Sequence, residues 1–247
     1  MEKKTIFGTP ITPIKLLDQL QGEAFCISYW NRNKFSDSDL QRYIATAGEL
    51  LLDNGAFSAW NAGVECDDEY WADYIEWANA IIARHPNVWA IVPDSITGAV
   101  EENYRLVEEF SDLGRFDPIN NGTAHFWDER ACPVWHLHEP LEYLAHYVAG
   151  YHRIAFGSSG EYAKVGTPEW HARVEEALAV VQEGCESQGD TRSSRHVHIL
   201  RAQSQHYRYD FDSSDSTNLA TNHCRYKREG GNYVRRFADR LIDKVAA

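Results

Sequence analysis

An aspartate directly after an apolar run occurs twice in the first half of this chain. Leu51-Leu52-Asp53-Asn54-Gly55-Ala56-Phe57-Ser58 sets one carboxylate ahead of a glycine turn. Trp89-Ala90-Ile91-Val92-Pro93-Asp94-Ser95 repeats the arrangement. A third acidic segment lies late in the chain, Tyr209-Asp210-Phe211-Asp212-Ser213-Ser214-Asp215-Ser216-Thr217-Asn218. Carboxylates facing one another across a pocket can divide the work of a glycosyl transfer. One attacks or stabilises the sugar carbon, and the other moves the proton on the leaving group. Each also has a plainer reading. Asp53 suits an Asp-Asn-Gly turn, Asp94 a turn or helix cap, and the late segment an acidic surface loop.

Two further segments end in groups able to bind a ligand. Trp135-His136-Leu137-His138-Glu139-Pro140 carries histidines at i and i+2, on one face if the run is a strand. That is half of a metal site. No third ligand of matching type ends a strand, so a base or a substrate hydrogen bond is the expected role, with no metal and no cofactor. Ala155-Phe156-Gly157-Ser158-Ser159-Gly160 offers glycine, where a ligand can approach the backbone closely. Other chemistries lack their residues. No G-x-S-x-G elbow occurs, and neither G-x-G-x-x-G nor G-x-x-x-x-G-K-[ST] is present. The five cysteines (Cys26, Cys66, Cys132, Cys185, Cys224) form no C-x-x-C pair, and their scatter suits a reducing compartment.

The elements that must position these groups alternate. Apolar runs rich in β-branched and aromatic residues span Ala24–Tyr29, Glu49–Asp53, Val88–Val92, Pro133–Leu137, Arg153–Phe156 and Val197–Leu200, with a seventh candidate at Tyr207–Phe211. Helical patterns lie between them at Asp37–Thr46, Asp68–Arg84, Ala99–Leu113, Leu141–Val148, Pro168–Glu186 and Asn232–Val245. Such alternation predicts βαβ units and a parallel sheet covered by helices on its faces. Asp37 or Ser36 can cap the first helix, and Thr167-Pro168-Glu169 reads as the start of another. About seven strands in 247 residues favour an α/β fold of the (β/α)8 TIM-like barrel type, complete or abbreviated, over an open sheet. One domain, residues 1–247, is the simplest organisation. In a barrel the carboxyl ends of the strands carry the active site, which is where Asp53, Asp94 and the histidines stand.

Charge bounds the partners. The formal net charge is −13, which taken alone argues against nucleic acid. The acid crowds at Glu65, Asp67, Asp68, Glu69, Asp73 and Glu76, whereas the last quarter holds Arg192, Arg195, Arg201, Arg208, Arg225, Lys227, Arg228, Arg235 and Arg236. That end either receives a polyanion or is a solvated basic face. Phe, Trp and Tyr make up 13% of the chain, and Trp30, Trp60 and Trp127 fall in expected loops where they could stack on bases. The same rings equally suit a core. No apolar run reaches the roughly 18–20 residues needed to cross a bilayer, and no signal peptide is read, so no membrane partner and a cytoplasmic location are expected.

Together these residues resemble a known family. Leu52-Asp53-Asn54-Gly55-Ala56-Phe57 resembles the D-S-G-G-F element of the tRNA-guanine transglycosylases, Ala155–Gly160 sits where that family has a glycine-containing loop for the base, and Phe211–Asn218 resembles its nucleophile region. The likeness spans about residues 24–224, and in length and in the wording Asp215-Ser216-Thr217-Asn218 looks most like the DpdA-type 7-deazaguanine DNA transglycosylases of phages and bacteria. The resemblance implies exchange of guanine in DNA for a 7-deazaguanine base such as preQ0, through a covalent aspartyl–sugar intermediate. It implies Asp53 as acid/base and Asp215 as nucleophile, with Asp212 as the rival. It places Asn54, Gly55, Phe57, Asp94, His136, His138, Gly157 and Ser158 around the base. The C-x-C-x-x-C…H zinc site of the tRNA enzymes is absent, so DNA, met through Arg225, Lys227 and Arg228, is the expected polymer. Two other readings stand beside it: a nucleosidase or glycoside hydrolase using the same aspartates, and a non-catalytic base-binding subunit. The sequence leaves a homodimer open.

Overall fold

Short strands form where β-branched and aromatic residues crowd together, and each must bury two faces. In the computed structural model, which describes residues 3–96, 100–113 and 130–246, they do so by closing on themselves. The strands are β1 (Lys4–Gly8), β2 (Ala24–Ser28), β3 (Glu49–Asp53), β4 (Val88–Ile91), β5 (Ala131–Cys132), β6 (Val134–His136), β7 (Arg153–Gly157), β8 (His196–Ile199) and β9 (Ser213–Ser216). The helices are α1 (Asp37–Thr46), α2 (Ala56–Asn61), α3 (Asp68–Ile82), α4 (Val100–Leu113), α5 (Leu141–Gly150), α6 (Pro168–Ser187), α7 (Gln203–His206), α8 (Asn218–Asn222) and α9 (Tyr233–Ala246).

All strand pairs are parallel, in the order β5-β4-β3-β2-β1-β9-β8-β7-β6. β5 and β6 are two halves of one strand, parted by Pro133, which has no N–H to give the ladder. The first half pairs with β4 and the second with β7, and the carbonyl of Pro133 still accepts from the Ala155 N–H at 2.9 Å. Counted this way, eight parallel strands close a (β/α)8 barrel.

Period-two alternation sorts the side chains. One set fills the barrel interior: Ile6, Ala24, Leu51, Trp89, Ile91, Cys132, Val134 and Ala155. The other set, including Phe7, Phe25, Leu50, Leu52 and Phe156, packs outward against the helices. Along β3, Glu49, Leu51 and Asp53 therefore share the inward face, from the amino end to the carboxyl end. Glu49 closes the amino end, accepting the Trp89 indole N–H at 2.6 Å and pairing with Lys4.

Two elements differ from the expectation. Tyr207–Phe211 is a turn, not a strand. β9 follows it as Ser213–Ser216, which has no apolar residue. Its buried hydroxyls are paired: Ser213 Oγ lies 2.7 Å from His196 Nε2 and 2.8 Å from His198 Nδ1, and Ser214 Oγ lies 2.8 Å from His206 Nδ1. Hydroxyls with partners can occupy a central strand, but no hydrophobic pattern betrays them. β1 also escaped notice, because only Ile6 and Phe7 mark it as buried apolar strand. The capping expectations hold: Ser36 forms a reciprocal capping box with Asp39, and Thr167 caps α6 ahead of Pro168. No helix among the described residues is long and apolar enough to cross a membrane.

Candidate active site

Because β-strand side chains alternate, the last inward residue of each strand looks into the carboxyl end of the barrel. There they enclose a cavity of about 480 Å³ whose lining includes Asp53, Asp94, His136, Gly157, Arg201 and Asp215. Asp53 ends β3 opposite Ser28. Asp215 lies on β9 opposite Ile6 of β1. Sequence positions 53, 94 and 215 thus converge on one pocket.

The turn after β3 holds its carboxylate through glycine. Gly55 has φ +82°, and a Cβ there would come within 2.8 Å of the Tyr70 hydroxyl and 2.9 Å of Trp30. Only glycine fits this left-handed, crowded corner. Asn54, almost wholly buried, ties the turn to the next strand end. Its Nδ2 donates to the Val92 carbonyl at 2.8 Å and to Asp94 Oδ1 at 2.6 Å, and its Oδ1 accepts the Ala56 N–H at 3.0 Å, starting α2. Phe57 and Trp60 of α2 then line the cavity, with Trp60 47% exposed. Trp30 is half-buried against Gly55, and Trp127 lies outside the described residues.

The two aspartates expected to do chemistry lean in opposite directions. Burial raises the Asp53 carboxyl above its ordinary value, and the Ser28 hydroxyl and Arg201 cation do not offset it. Asp215 is also buried, which alone would raise it. Hydrogen bonding and charge from His198, with the backbone N–H and charge of Arg201, outweigh burial and hold it below the ordinary value. The Arg201 N–H donates to Asp215 Oδ1 at 2.9 Å, and His198 Nε2 lies 3.3 Å from the same oxygen. Behind it, the Ser213 hydroxyl sits between two rings, 2.8 Å from His198 Nδ1 and 2.7 Å from His196 Nε2. Burial, with nearby Arg153, keeps His196 neutral.

His136 makes a second buried ionic group. Its Nε2 lies 3.1 Å from Asp94 Oδ2 and its Nδ1 3.0 Å from Glu139 Oε1. Burial alone would favour the neutral ring, but the two carboxylates raise it to about 9, so it is an imidazolium at neutral pH. Asn103 Nδ2 donates to Glu139 Oε1 at 2.9 Å and completes the chain Asp94–His136–Glu139–Asn103. Gly157 is what makes room for this ring, since a Cβ there would meet His136 Cδ2 at 2.9 Å. Ser158 lines the cavity and accepts the Trp170 indole N–H at 2.9 Å.

Some expected residues fall elsewhere. β6 ends at His136, so His138 lies in the following turn and does not share the cavity wall. Its Nδ1 meets Ser159 Oγ at 2.7 Å. Asp212 precedes β9 at the amino end of the barrel, about 10 Å of strand away from Asp215. Its Oδ2 accepts the Val197 N–H at 2.7 Å and the Arg192 guanidinium at 3.0 Å. It is a clamp between strand starts and is not among the residues that line the cavity. Arg225, Lys227 and Arg228 are exposed on the short helical turn after α8. That turn is pinned by His223 Nε2, 2.9 Å from the Thr12 carbonyl in the segment leaving β1, whose Gly8 lines the cavity. Among the described residues no group of three or more His, Cys, Asp or Glu is arranged to hold a metal ion.

Sequence reasoning missed Arg201, His198, Ser28 and Glu139. Arg201 directly follows the run Val197–Leu200, so the strand-end rule that found Asp53 would have found it too. His198 carried no signal, because it hides inside a strand and acts through a neighbour.

No family model and no curated protein matches the chain. Solved structures do resemble it. A tryptophan synthase structure from Mycobacterium tuberculosis aligns at TM-score 0.52 with 14% identity, covering 100% of this chain and 93% of that one. The tryptophan synthase α-subunit from Pyrococcus furiosus aligns at TM-score 0.54 with 10% identity, covering 99% and 97%. At such identities the likeness is one of fold, and it agrees with the TIM barrel traced above.

Proposed function

We propose that this protein is a base-exchanging glycosyltransferase that replaces guanine in DNA with a 7-deazaguanine of the preQ0 type. The observation that carries the reading is that Asp53 and Asp215 line one cavity with opposite protonation tendencies. Two carboxylates whose surroundings push them apart in this way suit one acid/base and one nucleophile.

In this mechanism the Asp215 carboxylate attacks C1′ of the target nucleotide as the C1′–N9 bond breaks. The bond's electron pair leaves with guanine, which takes a proton from Asp53. The sugar is held as an aspartyl ester. The incoming 7-deazaguanine gives its N9 proton to the Asp53 carboxylate and attacks C1′, which frees Asp215. His198 and the Arg201 N–H keep Asp215 ionised and aimed. Asp94 accepts the N1–H and amino edge of the base, held in place by Asn54 and His136. The Gly157 backbone is available to the opposite edge. No step needs a metal or cofactor.

The test is base exchange. DNA carrying labelled guanine is incubated with the protein, with and without preQ0. Guanine should leave the polymer in step with preQ0 incorporation, with a bell-shaped pH profile. The acid limb follows ionisation of Asp215 and the alkaline limb follows loss of the Asp53 proton. Folded protein that exchanges no deazaguanine sinks the reading. The −13 charge and the three cavity aspartates favour a second reading, a nucleosidase acting on uncharged nucleosides. It predicts guanine release from free nucleosides without any added base.

A further inference from the structure

Arg201 stands at the rim of the cavity in an unusual state. It is an exposed residue with φ +58°, the one non-glycine positive φ among the described residues. Such a conformation is unfavourable for a residue with a Cβ. The surroundings hold it there: its N–H is tied to Asp215, and its guanidinium carbon lies 3.3 Å from the centre of the Phe57 ring. Stacking uses the flat face of the guanidinium and leaves its edge donors free. Among the described residues the Arg201 side chain makes no hydrogen bond and no ion pair within hydrogen-bonding reach of a carboxylate.

The charge balance of the cavity makes this edge informative. Asp53, Asp94 and Asp215 all line it, and the cation of His136 is already shared between Asp94 and Glu139. A substrate carrying phosphate would meet net repulsion at such a wall. Arg201 is the remaining cation among the described lining residues; its charge bears on Asp53, Asp215 and Asp94, and, stacked on Phe57, it keeps its bidentate fork unengaged. Arginine in this geometry matches a phosphate oxygen pair.

We infer that Arg201, stacked on Phe57 at the cavity rim, grips a phosphate ester on the sugar of the nucleotide whose base enters the cavity, so that the site selects phosphorylated substrates over bare nucleosides. The inference rests on the nucleotide reading above. The phosphate could be the internucleotide diester of a polymer or the terminal group of a mononucleotide, and the two sources are separable by experiment.

Equilibrium binding is measured for deoxyguanosine, its 3′- and 5′-monophosphates, and a short single-stranded oligonucleotide with one guanine. A matching oligonucleotide carries a neutral methylphosphonate beside that guanine. The wild-type protein should prefer at least one phosphorylated ligand to the nucleoside by about tenfold or more, equivalent to about 1.4 kcal/mol. Arg201→Gly suits the left-handed backbone and keeps the N–H to Asp215, so folding is not at risk. In it the preference should collapse toward one, and the methylphosphonate should cost nothing further. Arg201→Lys should recover part of the preference, having charge without the fork. Preference for the oligonucleotide alone identifies the diester. Preference for a monophosphate identifies the terminal group. Absence of any preference in the wild type, or a preference that survives Arg201→Gly, overturns the inference. Preference without base exchange leaves Arg201 in this role and sinks the transglycosylase reading. Exchange that ignores Arg201 does the reverse.

Discussion

At His136 two buried carboxylates, Asp94 and Glu139, hold one imidazole from opposite sides, and the ring is 2% exposed. Its folded value of about 9 lies above the ordinary 6.5. A group raised on folding contributes stability that is complete below the unfolded value and is lost as pH climbs through the folded one. The stabilisation is on the order of 3 kcal/mol and should fade between about pH 6.5 and 9. Urea unfolding of the wild type should show this loss across that window. His136→Gln should start less stable and stay flat there, and equal slopes in the two proteins would remove the imidazolium from the account. At this scale the sequence was most informative where a polar group ends an apolar run. Asp53, Asp94, His136 and Gly157 were legible for that reason. Glu139 and His198 act through another side chain, and no spacing rule exposes such a residue before the fold is known.

Among the elements, β9 separates two aspartates that the sequence sets three residues apart. Asp215 faces the cavity, whereas Asp212 joins the starts of β8, β9 and β1 through Val197, Arg192 and its own carbonyl, which accepts the Lys4 N–H at 2.8 Å. Asp212→Asn should lower the free energy of unfolding by about 1.5–3 kcal/mol, as expected for losing hydrogen bonds to a charged group. It should leave base exchange within a few-fold of the wild type at a temperature where both are folded. A collapse of exchange with unchanged stability would return Asp212 to the chemistry. Six of the helices and six of the strands could be read from periodicity and caps, whereas the short helices α2, α7 and α8 could not. β9 could not, because its buried faces are serines satisfied by histidines distant in sequence. The run Pro133–Leu137 covers β6 alone, and the two residues of β5 ahead of Pro133 are too short a stretch to read.

The whole molecule carries net negative charge, yet the turn with Arg225, Lys227 and Arg228 is basic and exposed. If that turn meets a nucleic-acid backbone, each cation neutralises about one phosphate. Replacing all three with alanine should reduce the slope of log affinity against log salt by about 2 for single-stranded DNA. Binding with an unchanged slope would place the polymer elsewhere. Barrel closure was foreseeable from the alternation of elements. Which loops stand together at its mouth was not, because that depends on contacts such as His223 with Thr12.

In the proposed exchange Asp215 becomes bonded to the sugar while Asp53 serves the base. Intact-mass measurement under denaturing conditions, after incubation with a guanine-bearing oligonucleotide and no incoming base, tests it most directly. The wild type and Asp212→Asn should each gain the mass of one DNA strand lacking guanine, mapping to Asp215 after digestion, and Asp215→Asn should gain none. An adduct that persists in Asp215→Asn, or that maps to Asp53, would contradict the account.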